Sequence, residues 1–255
     1  MRLLLLSDIH ANIEGLEACL AAAPEFDQVV NLGDVVGYNA SPNEVCERVR
    51  AMGGIVVRGN HDRACSGLSD LSEFNLVAAM SARWTQTHLE TENAEWLRQL
   101  PRGPLRLDEL PGVEFVHGSP RDEDEYVLSP PTATMDFQAA GHADIIFFGH
   151  THLQGGFIYR DDKAQYFTPE YDDGTGVLTS KMTLVEGDRY LINPGSVGQP
   201  RDNDWRAAFA LYENAEGSPA TVTFFRAPYD VQSAQARVLA ANLPERLATR
   251  LALGR

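Results

Sequence analysis

Leu3-Leu4-Leu5-Leu6-Ser7-Asp8-Ile9-His10 decides how the rest of the chain reads. The four leucines form a brief aliphatic run, the length of a buried strand. A carboxylate and an imidazole follow at once. Working outward, the same arrangement recurs four times. Val29–Leu32 is followed by Gly33-Asp34, and Ile55–Val57 by Arg58-Gly59-Asn60-His61-Asp62. Val113–Val116 is followed by His117-Gly118, and Ile145–Phe148 by Gly149-His150-Thr151-His152. Five expected strands thus each deliver a metal-capable side chain just past their end. In open α/β sheets, ligands gather outside the carboxyl ends of strands. If these strands are parallel neighbours, the groups converge on one edge.

Helical patterns lie between the runs. Ile13–Ala23 is rich in Ala, Leu and Glu and stops before Pro24. Pro42–Met52 starts after Ser41, a fitting N-cap, and ends at Gly53. Leu71–Leu100 predicts one or two longer helices before Pro101. Strands alternating with helices indicate an α/β layered sheet. The pattern changes from Phe157 to Asn193. Short runs, Phe157–Arg160 and Met182–Val185, flank the Gly- and Asp-rich stretch Asp172–Gly176. A β-rich insertion near residues 157–190, with antiparallel strands and a flexible loop, is expected there. Ala207–Tyr212 and Ala220–Phe225 predict a hairpin pair. Val231–Leu253 predicts a terminal helix interrupted near Pro244. At 255 residues the chain fits one large domain or two small ones, and one domain over 1–255 is expected.

Composition narrows the function classes. Hydrophobic residues make up 44% and charged residues 22%, so a sizeable core is possible and wholesale disorder is not expected. The formal net charge of -15 repels nucleic acid backbones and anionic membranes, which argues against general binding to either. A small anionic substrate remains possible where a local cation draws it in. Cys19, Cys46 and Cys65 are odd in number and have no metal-type spacing, which points to a reducing, cytoplasmic setting. The polar residues right after Leu6 leave no signal-length apolar segment, and no run approaches membrane-spanning length. Signatures of P-loop, dinucleotide-binding and serine-hydrolase enzymes are missing.

The histidines sharpen the reading. The chain has seven, and His10, His61, His117, His150 and His152 all lie in the five post-strand segments. Imidazole with carboxylate and amide oxygen suits Mn, Fe, Co, Ni or Zn. Asp8 and His10, two apart on an extended segment, can point to the same side, and so can His150 and His152. With Asp34, Asn60 and His117, these are too many ligands for one ion. They suit two ions that share a bridging carboxylate, about 3.5–4 Å apart in sites that clamp a phosphoryl displacement.

Taken in order, Asp8-Ile9-His10, Gly33-Asp34, Gly59-Asn60-His61-Asp62, His117 and Gly149-His150-Thr151-His152 resemble the motif set of the calcineurin-like metallophosphoesterase superfamily. Gly33–Tyr38, followed by Ser41-Pro42-Asn43-Glu44, and Asn193–Arg201 resemble its small bacterial members, often labelled diadenosine tetraphosphatases or protein phosphatases. The resemblance implies a layered β-sandwich of mixed sheets flanked by helices. It implies that Asp8, His10 and His152 hold one divalent ion, that Asn60, His117 and His150 hold a second, and that Asp34 bridges both. His61 would bind no metal and would protonate the leaving oxygen or stabilise phosphoryl charge, with Asp62 as an orienting partner. The implied reaction is hydrolysis of a phosphomonoester, phosphodiester or nucleotide anhydride by a metal-bridging hydroxide. Some proteins of this fold are interaction scaffolds instead, but a scaffold has no need of an acid such as His61 beside two metals.

Other polar residues carry weaker signals. Asn193–Pro200 reads as a Gly/Pro turn, with Asn193 and Arg201 as candidate substrate contacts. Arg58 and Arg63 flank the Asn60 motif and read as surface arginines. The acidic run Asp122–Glu125 reads as a solvated loop or a substrate entrance. His88 and His142 read as structural, and the cysteines as small buried apolar groups.

Overall fold

The computed structural model describes residues 1–140 and 142–255. The N-terminal run is strand β1 (Arg2–Leu6), and Leu3 to Leu6 have no exposed surface. The run is continuous because both faces of the strand are covered. Leu3 and Leu5 pack with Phe115, Phe147 and Ile192 of a second sheet, whereas Leu4 and Leu6 pack with residues of flanking helices. Each leucine so buried contributes about 1.5–3 kcal/mol.

From β1 the chain runs through α1 (Ile13–Ala22), β2 (Gln28–Asn31), α2 (Pro42–Met52), β3 (Ile55–Val56) and α3 (Asn60–Cys65). Next come α4 (Leu76–His88), α5 (Thr91–Gln99), β4 (Val113–Phe115), α6 (Pro130–Ala139) and β5 (Ile145–Phe147). Strands β6 (Gly155–Arg160), β7 (Lys163–Phe167), β8 (Leu178–Thr183) and β9 (Arg189–Asn193) follow. The chain closes with β10 (Ala207–Glu213), β11 (Thr221–Ala227), α7 (Val231–Ala240) and α8 (Glu245–Leu251).

Two mixed sheets result. The first has the order β3-β2-β1-β10-β11-β8 and the second β4-β5-β9-β6-β7. β1, β2 and β3 are parallel, as are β4, β5 and β9. The remaining pairs are antiparallel. One apolar layer lies between the sheets, and Phe137 of α6 packs with Ile146, Phe157 and Leu191 behind the second. This is the layered sandwich of mixed sheets flanked by helices.

Several expectations change in detail. The five ligand-bearing strands are not neighbours in one sheet. Three belong to the first sheet and two to the second, and their carboxyl ends meet across the sandwich. The segment near 157–190, expected as an insertion, is woven into both sheets: β6 and β9 are interior strands of the second, and β8 is an edge of the first. Alternating half-exposed residues look like an appendage in sequence, and only the pairing partners reveal otherwise. Leu71–Leu100 contains two helices, and Val231–Leu253 breaks into α7 and α8 at Pro244. Helix α6, begun by Ser129 and two prolines, and the single-turn α3 carried no expectation.

Candidate metal centre

Each proposed ligand sits shortly past a strand, and five of the seven, all but Asn60 and His117, lie on backbone that ordinary side chains avoid. φ is +52° at Asp8, +48° at His10, +56° at Asp34, +65° at His150 and +61° at His152. Left-handed conformations of this kind cost roughly 1–2 kcal/mol each. They persist where surrounding bonds over-determine the loop, and they cluster at functional sites. Here Asp8 N–H donates to Gly33 O (2.9 Å), His10 N–H to Asp34 O (2.9 Å) and Gly198 N–H to Asp8 O (3.0 Å). The expectation of an extended Asp8-x-His10 is thus corrected: a left-handed turn, not strand alternation, gathers the pair. His150 and His152 point to different partners, since their turn splays them apart.

The glycines before the ligands are required by close approach. A Cβ at Gly149 would sit 2.1 Å from Ser7 Oγ, and one at Gly59 would sit 2.1 Å from Asp34 Oδ1.

Two groups of donors form. Asp8, His10, Asp34 and His152 make one, and Asp34, His117 and His150 the other, with all donor atoms of each within 4.8 Å of one another. Asp34 Oδ2 belongs to both, at 3.6 Å from His10 Nε2 and 3.4 Å from His117 Nε2. Its Oδ1 accepts the His61 N–H at 2.8 Å. Asn60 Oδ1 lies 3.2 Å from His117 Nε2, so the amide joins the second group.

The hydrogen bonds fix the ring tautomers. His10 Nδ1 donates to Val36 O (3.0 Å) and His152 Nδ1 to Gln199 O (2.6 Å). Burial holds both rings well below the usual histidine pKa, hence neutral. Their Nε2 lone pairs therefore face each other at 3.1 Å. Asp8 Oδ1, 3.3 Å from His152 Nε2, is buried without a hydrogen-bond partner. Two lone pairs and a carboxylate oxygen around one point call for a cation or a donor between them. The donor set fits a divalent metal.

Electrostatics agree. Burial pushes Asp8 up to about 7, with the charge of Asp34 a smaller push. Burial also opposes ionisation of Asp34, yet the pull of His117, His61 and His10 holds it well below the usual range. His117 is desolvated too, but Asp34 outweighs burial and raises it to about 10. A proton on His117 Nε2 does there, with less charge, what a cation would do. His150, by contrast, is driven down to about 3, by burial first and by His117 second.

A cleft of ≈ 230 Å³ opens over the second group, lined by Tyr38, Asn60, His61, Phe74, Tyr126 and His150 among others. His61 ligates neither group. Its ring packs edge-on to Phe74 (4.8 Å between centroids) and His10 (4.8 Å), and its Nδ1 has no partner. Burial lowers it to about 4. A larger cavity, ≈ 810 Å³, lies at the opposite end of the sheets, by Asp144, Ile145 and Asp188, and contains none of these groups.

Two sequence assignments are corrected. Asp62 does not touch the His61 ring. Its carboxylate accepts N–H bonds from Asp34 (2.9 Å), Gly59 (3.0 Å) and Val36 (3.2 Å), and so fixes the loops that carry the ligands. Asn193 does not reach the cleft. Its Nδ2 donates to Gly149 O (2.8 Å) and Thr151 Oγ1 (3.0 Å), which braces the His150 turn. Arg201, in contrast, is brought to the rim, where it bonds Tyr38 Oη at 3.3 Å. Arg58 and Arg63 pair with Glu123, and Arg63 also with Asp124, a residue of the cleft wall. No sequence pattern marked Phe74, because it stands in an irregular loop. In sequence, the loops Tyr38–Asn43 and Gly118–Ser129 are candidates for reading the leaving group, and they contain Tyr38 and Tyr126.

Comparison with known proteins agrees with this geometry. The description "Calcineurin-like phosphoesterase superfamily domain" matches residues 1–217. An uncharacterized protein of Methanocaldococcus jannaschii is 33% identical over 98% of this chain and 97% of its own. A metallophosphoesterase of Sphaerobacter thermophilus, solved by crystallography, is 39% identical over 100% of this chain and 99% of its own, with a TM-score of 0.81. A hypothetical protein of Pyrococcus horikoshii shares the fold at 20% identity and a TM-score of 0.79, covering 100% of this chain and 98% of its own. With a buried Asp/His cluster at the strand ends and a family match over most of its length, the chain belongs to the calcineurin-like phosphoesterase superfamily.

Proposed function

We propose that the protein hydrolyses a small phosphorylated substrate, a phosphomonoester, phosphodiester or nucleotide anhydride, with two divalent cations at this cluster. The observation that carries the reading is the opposed Nε2 atoms of His10 and His152 beside the unpartnered Asp8 Oδ1. The position of Asp34 Oδ2 in both donor groups supports a bridging role. Asp8, His10 and His152 would hold one ion, and Asn60, His117 and His150 the other. Mn, Fe, Zn, Co and Ni all suit these donors.

When bound, such ions supply Lewis-acid polarisation of the phosphoryl group and acidify water. The chain's own residues do the rest. His61 lines the cleft beside a ligand, with no protein partner at Nδ1. It would protonate the leaving oxygen or stabilise charge on the phosphoryl group. Tyr38, Phe74 and Tyr126 would orient the substrate and exclude water. Asp62 and Asn193 would hold the ligand loops in place.

The test is to strip the purified protein of metal, restore Mn2+, and assay p-nitrophenyl phosphate beside bis-p-nitrophenyl phosphate. Metal-dependent release from either is expected, and their ratio sorts monoesterase from diesterase. Failure to bind two equivalents of metal would overturn the two-metal reading.

A further inference from the structure

Most arginines of this acidic protein are paired with carboxylates, and most of those that are not lie close together. Thirteen arginines lie within 4.0 Å of an Asp or Glu carboxylate. Among the described residues, Arg83, exposed on α4, has no such Asp or Glu partner, and neither do four others, Arg201, Arg246, Arg250 and Arg255, although 36 acidic side chains are available. Arg189 lacks one too, but it is committed to the main-chain carbonyls of Phe137, Ala140 and Ala143, whereas Arg250 spends only its Nε, on the main-chain oxygen of Arg255. The four arginines are gathered at one place. Arg246, Arg250 and Arg255 line a cleft of ≈ 180 Å³ at the end of α8. The guanidinium carbons of Arg250 and Arg201 lie 5.8 and 5.7 Å from the centre of the same Tyr38 ring.

That ring also touches the metal centre. Its centroid is 4.4 Å from that of His61 and 4.6 Å from that of His10. Tyr38 thus stands between the candidate catalytic groups and two half-buried guanidiniums. Arg201 Nε is buried with no hydrogen-bond partner, and its Nη2 makes only 3.3 Å bonds to Tyr38 Oη and Gln199 Oε1. Two like charges against one ring, with an unmet buried donor, oppose folding unless an anion joins them.

Resting on the phosphoesterase reading above, we propose that Arg201 and Arg250 form a second anion subsite, which takes a phosphate group of the substrate other than the one attacked. The substrate class is then a molecule with at least two phosphoryl groups, such as a phosphoanhydride, rather than a simple monoester. One phosphoryl group sits at the Asp/His cluster. The neighbouring one lies over Tyr38 and accepts hydrogen bonds from the two planar guanidinium forks. No Asp or Glu lies within 4.0 Å of either guanidinium among the described residues, and Asp124 of the cleft wall is paired with Arg63, which keeps this position attractive to an anion within a chain of net charge -15.

The experiment uses the metal-restored full chain and measures inhibition of p-nitrophenyl phosphate hydrolysis by AMP and by ADP. The adenosine part is held constant, and only the second phosphate differs. ADP is expected to bind about tenfold more tightly than AMP, the size of one charge-assisted contact. Arg250→Gln and Arg201→Gln should each bring that ratio toward one, and Arg250→Lys should restore part of it. Comparing variants cancels metal chelation by ADP, which is the same for all. An ADP preference that neither substitution alters would overturn the subsite. So would inorganic phosphate acting as a noncompetitive inhibitor through Arg250, since the site would then serve a free anion. If the protein cleaves neither a p-nitrophenyl ester nor the anhydride of ADP, the hydrolase reading fails separately. The same ADP-to-AMP ratio, read by titration calorimetry, still decides the subsite.

Discussion

Asp34 and His61 sit one residue shell apart yet have opposite expected roles. Asp34 Oδ2 is the atom common to both donor groups, so Asp34→Ala should abolish stoichiometric metal binding and with it hydrolysis. The His61 side chain supplies no donor atom to either group, and its main-chain bond to Asp34 survives truncation, so His61→Ala should keep both metals and lower turnover by about 10²–10⁴-fold. Metal analysis beside the rate separates the two, and full activity of His61→Ala on a poor leaving group would sink its acid role. Asp62 gives a third outcome. Removing its carboxylate orphans the N–H groups of Asp34, Val36 and Gly59, so Asp62→Ala should cost about 3 kcal/mol or more by urea unfolding. Its effect on catalysis would arise through displaced loops. Which residue types cluster at the candidate site was legible at this scale, because Asp, His and Asn after apolar runs have few other reasons to cluster. The partner of each was not. Asp62 is adjacent to His61 in sequence, but helix α3 turns its carboxylate back toward Asp34.

The elements place the ligands by their ends. β1 and β2 present Asp8 and Asp34, β4 and β5 present His117 and His150, and the first turn of α3 presents Asn60 and His61. The strands were readable because a run buried on both faces has no polar alternation. Helix α6 was not, because Pro130-Pro131 at its start resemble a loop, although they sit where a helix tolerates proline. Its last turn depends on another element. Arg189, at the start of β9, donates to the carbonyls of Phe137, Ala140 and Ala143, which close the helix and the turn after it. Arg189→Ala should therefore cost about 2–3 kcal/mol. Hydrogen exchange should rise first at the end of α6, while metal binding at the opposite ends of the strands is unaffected. Uniformly faster exchange would show that this cap is not local.

At the scale of the molecule, folding gathers Asp8, Asp34 and Asp62 with five histidines, each at most 4% exposed. That concentration opposes the folded state until cations balance it. Anything that binds only the folded form stabilises it, by about 2.7 kcal/mol at a hundredfold excess over Kd. For a chain of this size, about 2–4 °C per kcal/mol, restoring metal should raise Tm by about 5–10 °C. Asp34→Ala should abolish the increment, and scanning calorimetry of stripped and restored protein reads both. An equal rise in that variant would place the stabilising ions elsewhere.

The sequence by itself determined the Asp/His cluster at the strand ends, the α/β layering and the family. These are recorded in local order: short apolar runs, each followed by a particular polar residue. Only the tertiary structure decided that the ligand-bearing strands divide between two sheets, that residues near 157–190 belong to both, and that Asn193 and Asp62 brace loops. It also brought Arg250, from the last helix, to the ring of Tyr38. Such outcomes depend on pairing and packing between segments far apart in the chain, and a strand's local pattern carries its period and burial but not the identity of its neighbour.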